Sequence, residues 1–342
     1  MTVEERYSKQ ILFDRIGESG QQKISTKTVT VVGLGALGSS SAEMLARAGV
    51  GRMNLVDRDY VELTNLHRQQ LFTEKDVINK TPKAVAAQRR LQEINSSVEI
   101  KSYIQDAGAN ELEQLAKESD LLIDATDNFE TRFMMNDAAV KYNIPLIYGA
   151  CVGAYGVTYT VIPGKTPCLN CLAKYISLEA MPTCDTVGVI MPVVTQVTSH
   201  QVIEALKILT EQTEACRNRL LSFDLWKNQT SSIDPSVLHD IHCPSCGSDR
   251  TYPYLQQENI AKTTVLCGRD TVQIRPGKRW RPDFKQLSDR FKTLPGKTMT
   301  NDFLLAYEDG NIRFVLFQDG RALIHGTKNV IEAKNIYHRY LS

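Results

Sequence analysis

The sequence has almost no charge imbalance. Its 342 residues carry 40 Lys and Arg against 39 Asp and Glu, a formal net charge of +1. Surfaces that bind nucleic acid or anionic membranes are strongly basic, so neither partner is expected. Long apolar runs are also missing: none approaches the ~20 residues of a bilayer-spanning helix. The first ten residues, MTVEERYSKQ, are charged where a secretory signal would be apolar. These absences predict a cytoplasmic protein. Repeats and low-complexity tracts are absent too. In a reducing compartment the eight cysteines serve as metal ligands, reactive thiols or small buried hydrophobes rather than disulfides.

What is present is an apolar content of 42%, enough for a core spread over one or two domains. Residues 28–33 read as a strand and 37–49 as a helix. RMNLVD (52–57) is a strand ending at Asp57; a helix near 83–94 follows Pro82, then a short strand near 98–103. LLIDAT (121–126) is a buried strand, 129–142 a helix and PLIYGA (145–150) the next strand. This alternation predicts an α/β fold, Rossmann-like, with a doubly wound, mostly parallel sheet. Antiparallel strands follow: GVTYTVI (156–162) and, after a helix at about 193–209, LLSFDLW (220–226). A polar linker begins near residue 250. Beyond it a strand (265–274), a helix (284–292), hairpin strands (303–325, turning at Asp309-Gly310 and Asp319-Gly320) and a helix (328–340) form a small α+β module. The expected domains are 1–250 and 260–342.

The stretch VVGLGALG holds glycines 33, 35 and 38 in the spacing G-x-G-x-x-G, between a β-branched run and a helical pattern. That context predicts a strand, a phosphate-binding turn and a helix. Asp57 lies 19 residues past Gly38, where a carboxylate accepts hydrogen bonds from ribose hydroxyls. Both features suit NAD and ATP alike. The next residues, DRDYVELTNLHRQ (57–69), favour ATP. A dehydrogenase has little use for Asn65 and Arg68 just beyond its ribose carboxylate, whereas phosphate oxygens accept from both. Lys83, at a helix start, adds a point charge. A single arginine is usually a solvated surface charge; this ordered set after a glycine loop is not.

At this point the sequence closely resembles the ThiF/MoeB/HesA family, bacterial relatives of the ubiquitin-activating enzymes. The match is carried by RYSKQILF (6–13), GLGALG (33–38), DRDYVELTNLHRQ (57–69), PK (82–83), DATDN (124–128), CLNC (168–171), TCDTVGV (183–189) and CPSC (243–246), in family order over residues 1–250. The resemblance implies adenylation, dependent on ATP and Mg²⁺, of the C-terminal glycine of a ubiquitin-fold sulfur-carrier protein. The carrier would end in Gly-Gly and serve thiamine or molybdopterin synthesis, and the enzyme would be a homodimer. On this reading Gly33, Gly35, Gly38, Asp57, Asp59, Asn65, Arg68, Lys83, Asp127 and Asn128 bind the nucleotide. Arg68, Lys83 and Asp127 also serve catalysis, Asp127 by holding Mg²⁺ at the C-terminal end of a parallel strand. Asp124 is expected to make strand-end hydrogen bonds instead. At the position of Lys9 the family usually has an arginine that reaches the phosphates from the other subunit. Lysine keeps the charge and loses the planar fork; Arg6 and Arg15 are neighbours that could contribute.

Cys168-x-x-Cys171 and Cys243-x-x-Cys246 are separated by 71 residues. Four thiolates on two tight turns suit a closed tetrahedral zinc, and a redox dithiol is the other use of this spacing. The resemblance selects structural Zn²⁺. Cys184, in MPTCDTVG, matches a family cysteine that forms a persulfide or thioester link in sulfur handoff, a step adenylation does not need. Cys151, Cys216 and Cys267 are expected to be buried hydrophobes, and His67, His200 and His242 structural. Residues 260–342 hold no catalytic constellation, and no cysteine follows Cys267 to form a rhodanese-like loop. Docking, carrier binding or plain stabilisation is the expected role of that module. Two rival readings of the whole chain are a nicotinamide-dependent dehydrogenase and a non-catalytic carrier-binding scaffold.

Overall fold

The computed structural model describes residues 3–174, 184–256, 262–265, 270–277 and 280–341. The chain divides into two compact units, Met1–Gln257 and Glu258–Ser342. The first unit opens with helices α1 (Val3–Ile11) and α2 (Gly17–Ile24), then β1 (Thr28–Val32), α3 (Ala36–Ala48) and β2 (Arg52–Asp57). Next come α4 (Glu74–Ile78), α5 (Lys83–Ile94), β3 (Glu99–Ile104), α6 (Ala109–Lys117), β4 (Leu121–Asp124) and α7 (Phe129–Lys141). It ends with β5 (Leu146–Val152), β6 (Tyr155–Val161), α8 (Leu169–Ala173), α9 (Cys184–Val187), α10 (Met191–Leu209), β7 (Leu220–Asp224) and β8 (Gln229–Ile233).

These strands form one eight-stranded sheet in the order β3-β2-β1-β4-β5-β6-β7-β8. The first five are parallel and the last three join antiparallel. Strand β1 is buried along its whole length because both faces are covered. On one face Val29 and Val31 pack with Leu45 of α3, Ala84 and Leu91 of α5, and Val202 and Leu209 of α10. On the other, Val32 packs with Leu112 and Leu115 of α6 and Met135, Ala138 and Ala139 of α7. The strand order reverses direction between β1 and β4. In open α/β sheets ligands bind at such a switch, outside the carboxyl ends of the strands.

The expected 121–126 strand is shorter than its apolar run suggests. It ends at Asp124, because Ala125 and Thr126 must pass directly over Gly33. Helix α6 and the paired helices α1 and α2 have no counterpart among the expected elements. Strand β8 (QTSSI) is exposed at every residue, so no apolar alternation marks it.

The second unit contains β9 (Lys262–Val265), β10 (Thr271–Arg275), α11 (Phe284–Phe291), β11 (Lys297–Thr300), β12 (Leu304–Asp309), β13 (Ile312–Phe317), β14 (Ala322–His325) and α12 (Val330–Leu341). Its sheet runs β11-β12-β13-β14-β10-β9 and is antiparallel throughout. The single strand expected at 265–274 is two strands paired antiparallel, Val272 opposite Val265. The turns at Gly310 and Gly320 are present, both glycines at positive φ. Phe291 of α11 and Ala333, Ile336 and Tyr340 of α12 pack with Ile274, Tyr307, Phe314 and Ile324.

Candidate functional site

The glycine loop leaves β1 at the switch point and enters α3. Gly33 has φ +86, and a Cβ there would lie 2.5 Å from the Ala125 carbonyl oxygen. A Cβ on Gly38 would lie 1.8 Å from the Gly33 oxygen. Backbone packing therefore requires these two glycines. Gly35 differs: a Cβ there would meet only the Gln69 amide at 3.8 Å. The space above it is where a phosphate can approach the backbone at the N-terminus of the 13-residue helix α3.

Strand β2 delivers Asp57 beside this loop. Its Oδ2 accepts from the Leu34 N–H at 2.6 Å and its Oδ1 from the Asp59 N–H at 2.7 Å. The side chain is buried, and burial raises its carboxyl above the ordinary value, partly offset by the Lys83 ammonium. Lys83, also buried, stands 3.5 Å from Asp59 Oδ2 and donates its backbone N–H to the Asp59 carbonyl at 2.9 Å. The turn after β2 presents Asn65 and Gln69, both buried. Asn65 Oδ1 accepts from the Glu62 N–H, while Asn65 Nδ2 and Gln69 Oε1 are buried with no protein partner. Buried polar atoms are normally satisfied; two orphans beside a glycine cradle fit a polar ligand such as a nucleotide. Arg68 donates to the Thr64 carbonyl at 2.8 Å and lies 3.3 Å from the exposed His67 ring.

From the other side of the switch, β4 contributes DATDN. Asp124 is fully buried, and its oxygens are taken by the Thr126 N–H and hydroxyl and by Arg132 Nε. It is a strand-end anchor, as its position suggests. Asp127 is exposed. Asn128 Oδ1 caps α7 by accepting from the Thr131 N–H at 2.9 Å, and its Nδ2 lies 3.5 Å from Asp127 Oδ1. An exposed carboxylate at a phosphate-binding strand end suits Mg²⁺, an oxygen-seeking cation that is bound by one or two carboxylates and substrate phosphates.

Lys9 is not part of this grouping within the chain. Helix α1 packs where α3 ends: Gln10 Nε2 donates to the Ala48 carbonyl, and Asn95 Nδ2 donates to the Tyr7 hydroxyl. A 13-residue helix spans about 20 Å, so α1 sits at the opposite end of α3 from the glycine loop. Arg6 donates to the Ile94 carbonyl, and the Arg15 backbone carbonyl accepts from Gln212. The backbone of the α9 region, by contrast, is at the ligand edge: Gly153, just past β5, donates to the Gly188 carbonyl at 2.7 Å and accepts from the Ile190 N–H at 3.1 Å. Cys184 is the first residue of α9, and residues 175–183 of its loop lie outside the described residues.

The four expected zinc ligands converge. The sulfurs of Cys168, Cys171, Cys243 and Cys246 all lie within 4.8 Å of one another, with Cys168–Cys243 at 3.7 Å and Cys171–Cys246 at 3.5 Å. Tetrahedral zinc with bonds of about 2.3 Å sets sulfurs about 3.8 Å apart, so the donor set fits. Mutual hydrogen bonding lowers the Cys171 and Cys243 thiols and raises the Cys168 thiol. Four clustered thiols without a cation would not shed all their protons. Helix α7 fastens both knuckles: Asn136 Oδ1 accepts from the Leu169 N–H, and Asp137 accepts from the Ser245 hydroxyl and the Tyr254 N–H. Cys216 is buried as expected, its thiol pushed up to about 11 by burial. Cys151 is only half-buried, a correction explained by its place near the end of β5, where the strand leaves the core. Cys267 lies outside the described residues.

Residues 7–245 match the ThiF family. The chain belongs to the ThiF family. It is 49% identical over 340 residues to the sulfur carrier protein ThiS adenylyltransferase of Bacillus subtilis (strain 168), covering 98% of this chain and 99% of that protein. The protein of the same description from Escherichia coli (strain K12) is 37% identical, with 72% of this chain and 97% of that protein covered. Among solved structures, E. coli MccB with ATP superposes with a TM-score of 0.62 at 24% identity, over 71% of this chain and 74% of that one. That likeness supports the fold.

Membership of the ThiF family removes the dehydrogenase reading left open by the glycine spacing. The structure also brings to this edge two arginines that the sequence pattern does not single out. Arg58 donates to Asp106 at 3.2 Å, and the charges of Asp59, Asp127 and Asp57 act on it as well. Arg132 is buried against Asp124. Among the described residues no helix is long and apolar enough to cross a membrane.

Proposed function

We propose that this chain is an ATP-dependent adenylyltransferase acting on the C-terminal glycine of a ubiquitin-fold sulfur-carrier protein, for thiamine or molybdopterin synthesis. The carrying observation is the grouping at the sheet's switch point of an anion cradle, Asp57, Lys83 and the exposed Asp127. It occurs on a chain that aligns almost end to end with a protein named ThiS adenylyltransferase, which favours a ThiS-type carrier. The reaction joins the carrier's terminal carboxylate to the α-phosphorus of ATP, with pyrophosphate leaving. A carboxylate is already a nucleophile, so no general base is required. The chain's task is to align two anions that repel each other and to stabilise charge on the phosphoryl oxygens.

Asp57 receives the ribose, the Gly33–Gly38 loop and the N-terminus of α3 receive phosphate, and Arg68 and Lys83 supply positive charge. Asp59 orients Lys83. Asn65 Nδ2 and Gln69 Oε1 gain the partners they lack. Magnesium held by Asp127 would neutralise charge on the phosphates. Zinc held by the four cysteines is structural, since it leaves no open ligand position. Lys9, remote from its own nucleotide loop, acts on the phosphates of a second copy in a homodimer. Cys184 serves capture of the activated carrier and not its activation. The carrier ends in Gly-Gly, and the enzyme works in the cytoplasm. Asp57, Arg68, Lys83 and Asp127 are all present, which disfavours a decayed, non-catalytic scaffold. The test is carrier-dependent ATP–pyrophosphate exchange with Mg²⁺ and carriers ending in Gly-Gly. No exchange with any such carrier would overturn the reading.

A further inference from the structure

The loop joining β4 to α7 is four residues long, and one guanidinium holds it. Arg132 stands one turn into α7. Its Nε donates to Asp124 Oδ2 at 2.8 Å and its Nη2 to the Thr126 carbonyl at 2.8 Å. The residue that ends the strand and the residue preceding Asp127 are thus fixed to the same rigid plane. The guanidinium also packs over two rings, 5.0 Å from the Phe129 centroid and 4.7 Å from the Tyr148 centroid, which helps hold it in place. Asp124 is held from behind as well, its carbonyl accepting from Gln201 Nε2 at 3.2 Å. The two aspartates of DATDN are therefore divided: Asp124 spends its oxygens inside the protein, and Asp127 faces outward. Stability alone does not account for the buried pair, because apolar replacements of buried ion pairs are often no less stable.

We propose that Arg132 is a positioning residue for Asp127: it fixes the 124–128 loop so that the Asp127 carboxylate stands where nucleotide-bound magnesium is held. This rests on the reading of Asp127 given above. Lysine cannot replace it, since one ammonium does not span both acceptors with a planar fork.

The experiment titrates Mn²⁺ into the full-length protein with a non-hydrolysable ATP analogue, following bound metal by electron paramagnetic resonance, with thermal unfolding in parallel. Arg132→Lys is expected to raise the Mn²⁺ midpoint roughly tenfold in folded protein. The Mg²⁺ requirement of exchange should rise alongside, and the rate should recover to within a few-fold at saturating metal. A folded Arg132→Lys protein with the wild-type midpoint overturns the proposal. Should that variant fail to fold, Asp124→Asn carries the test. It keeps the side-chain volume and sets an amide against Arg132 Nε, so the midpoint should rise about threefold; an unchanged midpoint is equally fatal. Asp127→Ala separates the two ideas. If it leaves the Mn²⁺ midpoint unchanged, the reading of Asp127 fails. If it abolishes metal binding while Arg132→Lys does not weaken it, only the positioning role fails.

Discussion

The two units of this chain use buried charge differently. In the first, four buried charged residues, Asp57, Lys83, Asp124 and Arg132, gather at the carboxyl edge of the parallel strands, while buried Asp137 fastens the cysteine knuckles and buried Glu204 pairs with Lys207. The first four ring an edge where Asn65 and Gln69 have unsatisfied atoms. In the second unit, the fully buried Arg321 lies 3.9 Å from the Phe317 ring, and its guanidinium is 3.7 Å from Asp319. Its core is an aromatic cluster of Phe291, Tyr307, Phe314 and Tyr340. The first unit places most of its buried charge where a ligand can use it; the second absorbs its fully buried charge into packing. The E. coli protein is matched over 97% of its length by 72% of this chain, which leaves about the length of the second unit unmatched. The B. subtilis protein matches both.

The contrast is broken most directly at Asp127. Asp127→Ala should lower carrier-dependent exchange by on the order of 10²–10³ while thermal unfolding is unchanged, the usual cost of losing a major charge-stabilising contact. Near wild-type exchange in the folded variant would remove Asp127 from the chemistry. Lys9→Ala should lower exchange by roughly 10- to 100-fold, the worth of a charged hydrogen bond of ~1.5–3 kcal/mol, and Lys9→Arg should restore it. Mixing Lys9→Ala with Asp127→Ala should then recover activity through hybrids with one intact site; no recovery on mixing would place Lys9 in its own subunit's function.

Much of the first unit is legible in the sequence because each element obeys one rule. The β-branched run before Gly33 is a strand buried on both faces, and the glycine spacing follows from two backbone approaches that no Cβ survives. The paired C-x-x-C knuckles converge although 71 residues separate them. What the sequence hides depends on three-dimensional packing. Arg132 reads as one more polar residue of a helix with no clear amphipathic face, since α7 is buried on nearly every side. Asn128 is split between capping and any ligand role. The place of Lys9 depends on where α1 packs, which no local pattern encodes. In the second unit, the run at 265–274 reads as one strand because Thr and Val recur on both sides; the signal of the reversal is Gly268 and Asp270 between them, residue types that favour turns.

Removing the metal sharpens the comparison from the stability side. Cys243→Ser should reduce zinc below one per chain by elemental analysis and lower Tm by at least about 5 °C, because metal binding is coupled to folding and each kcal/mol is worth ~2–4 °C in chains of this class. No zinc in freshly purified, unchelated wild type would contradict the assignment. Cys184→Ser should leave exchange within about twofold and abolish any thiol-releasable carrier adduct, since adenylation uses charge and geometry and not a thiol. Collapse of exchange in that folded variant would put the thiol inside the adenylation site. Ending the chain after Gln257 should also have a small effect: exchange at saturating carrier should stay within about threefold. A folded truncated protein without exchange would show that the second unit takes part in the chemistry.

Carrier activation is tested most directly by mass. The intact protein, ATP, Mg²⁺ and a ThiS-type carrier ending in Gly-Gly are incubated, and the carrier is weighed. The account predicts a gain of one adenylate on the carrier, with release of pyrophosphate, and no gain on a carrier lacking its terminal glycine. A carrier of unchanged mass, under conditions where the enzyme binds ATP, would contradict it.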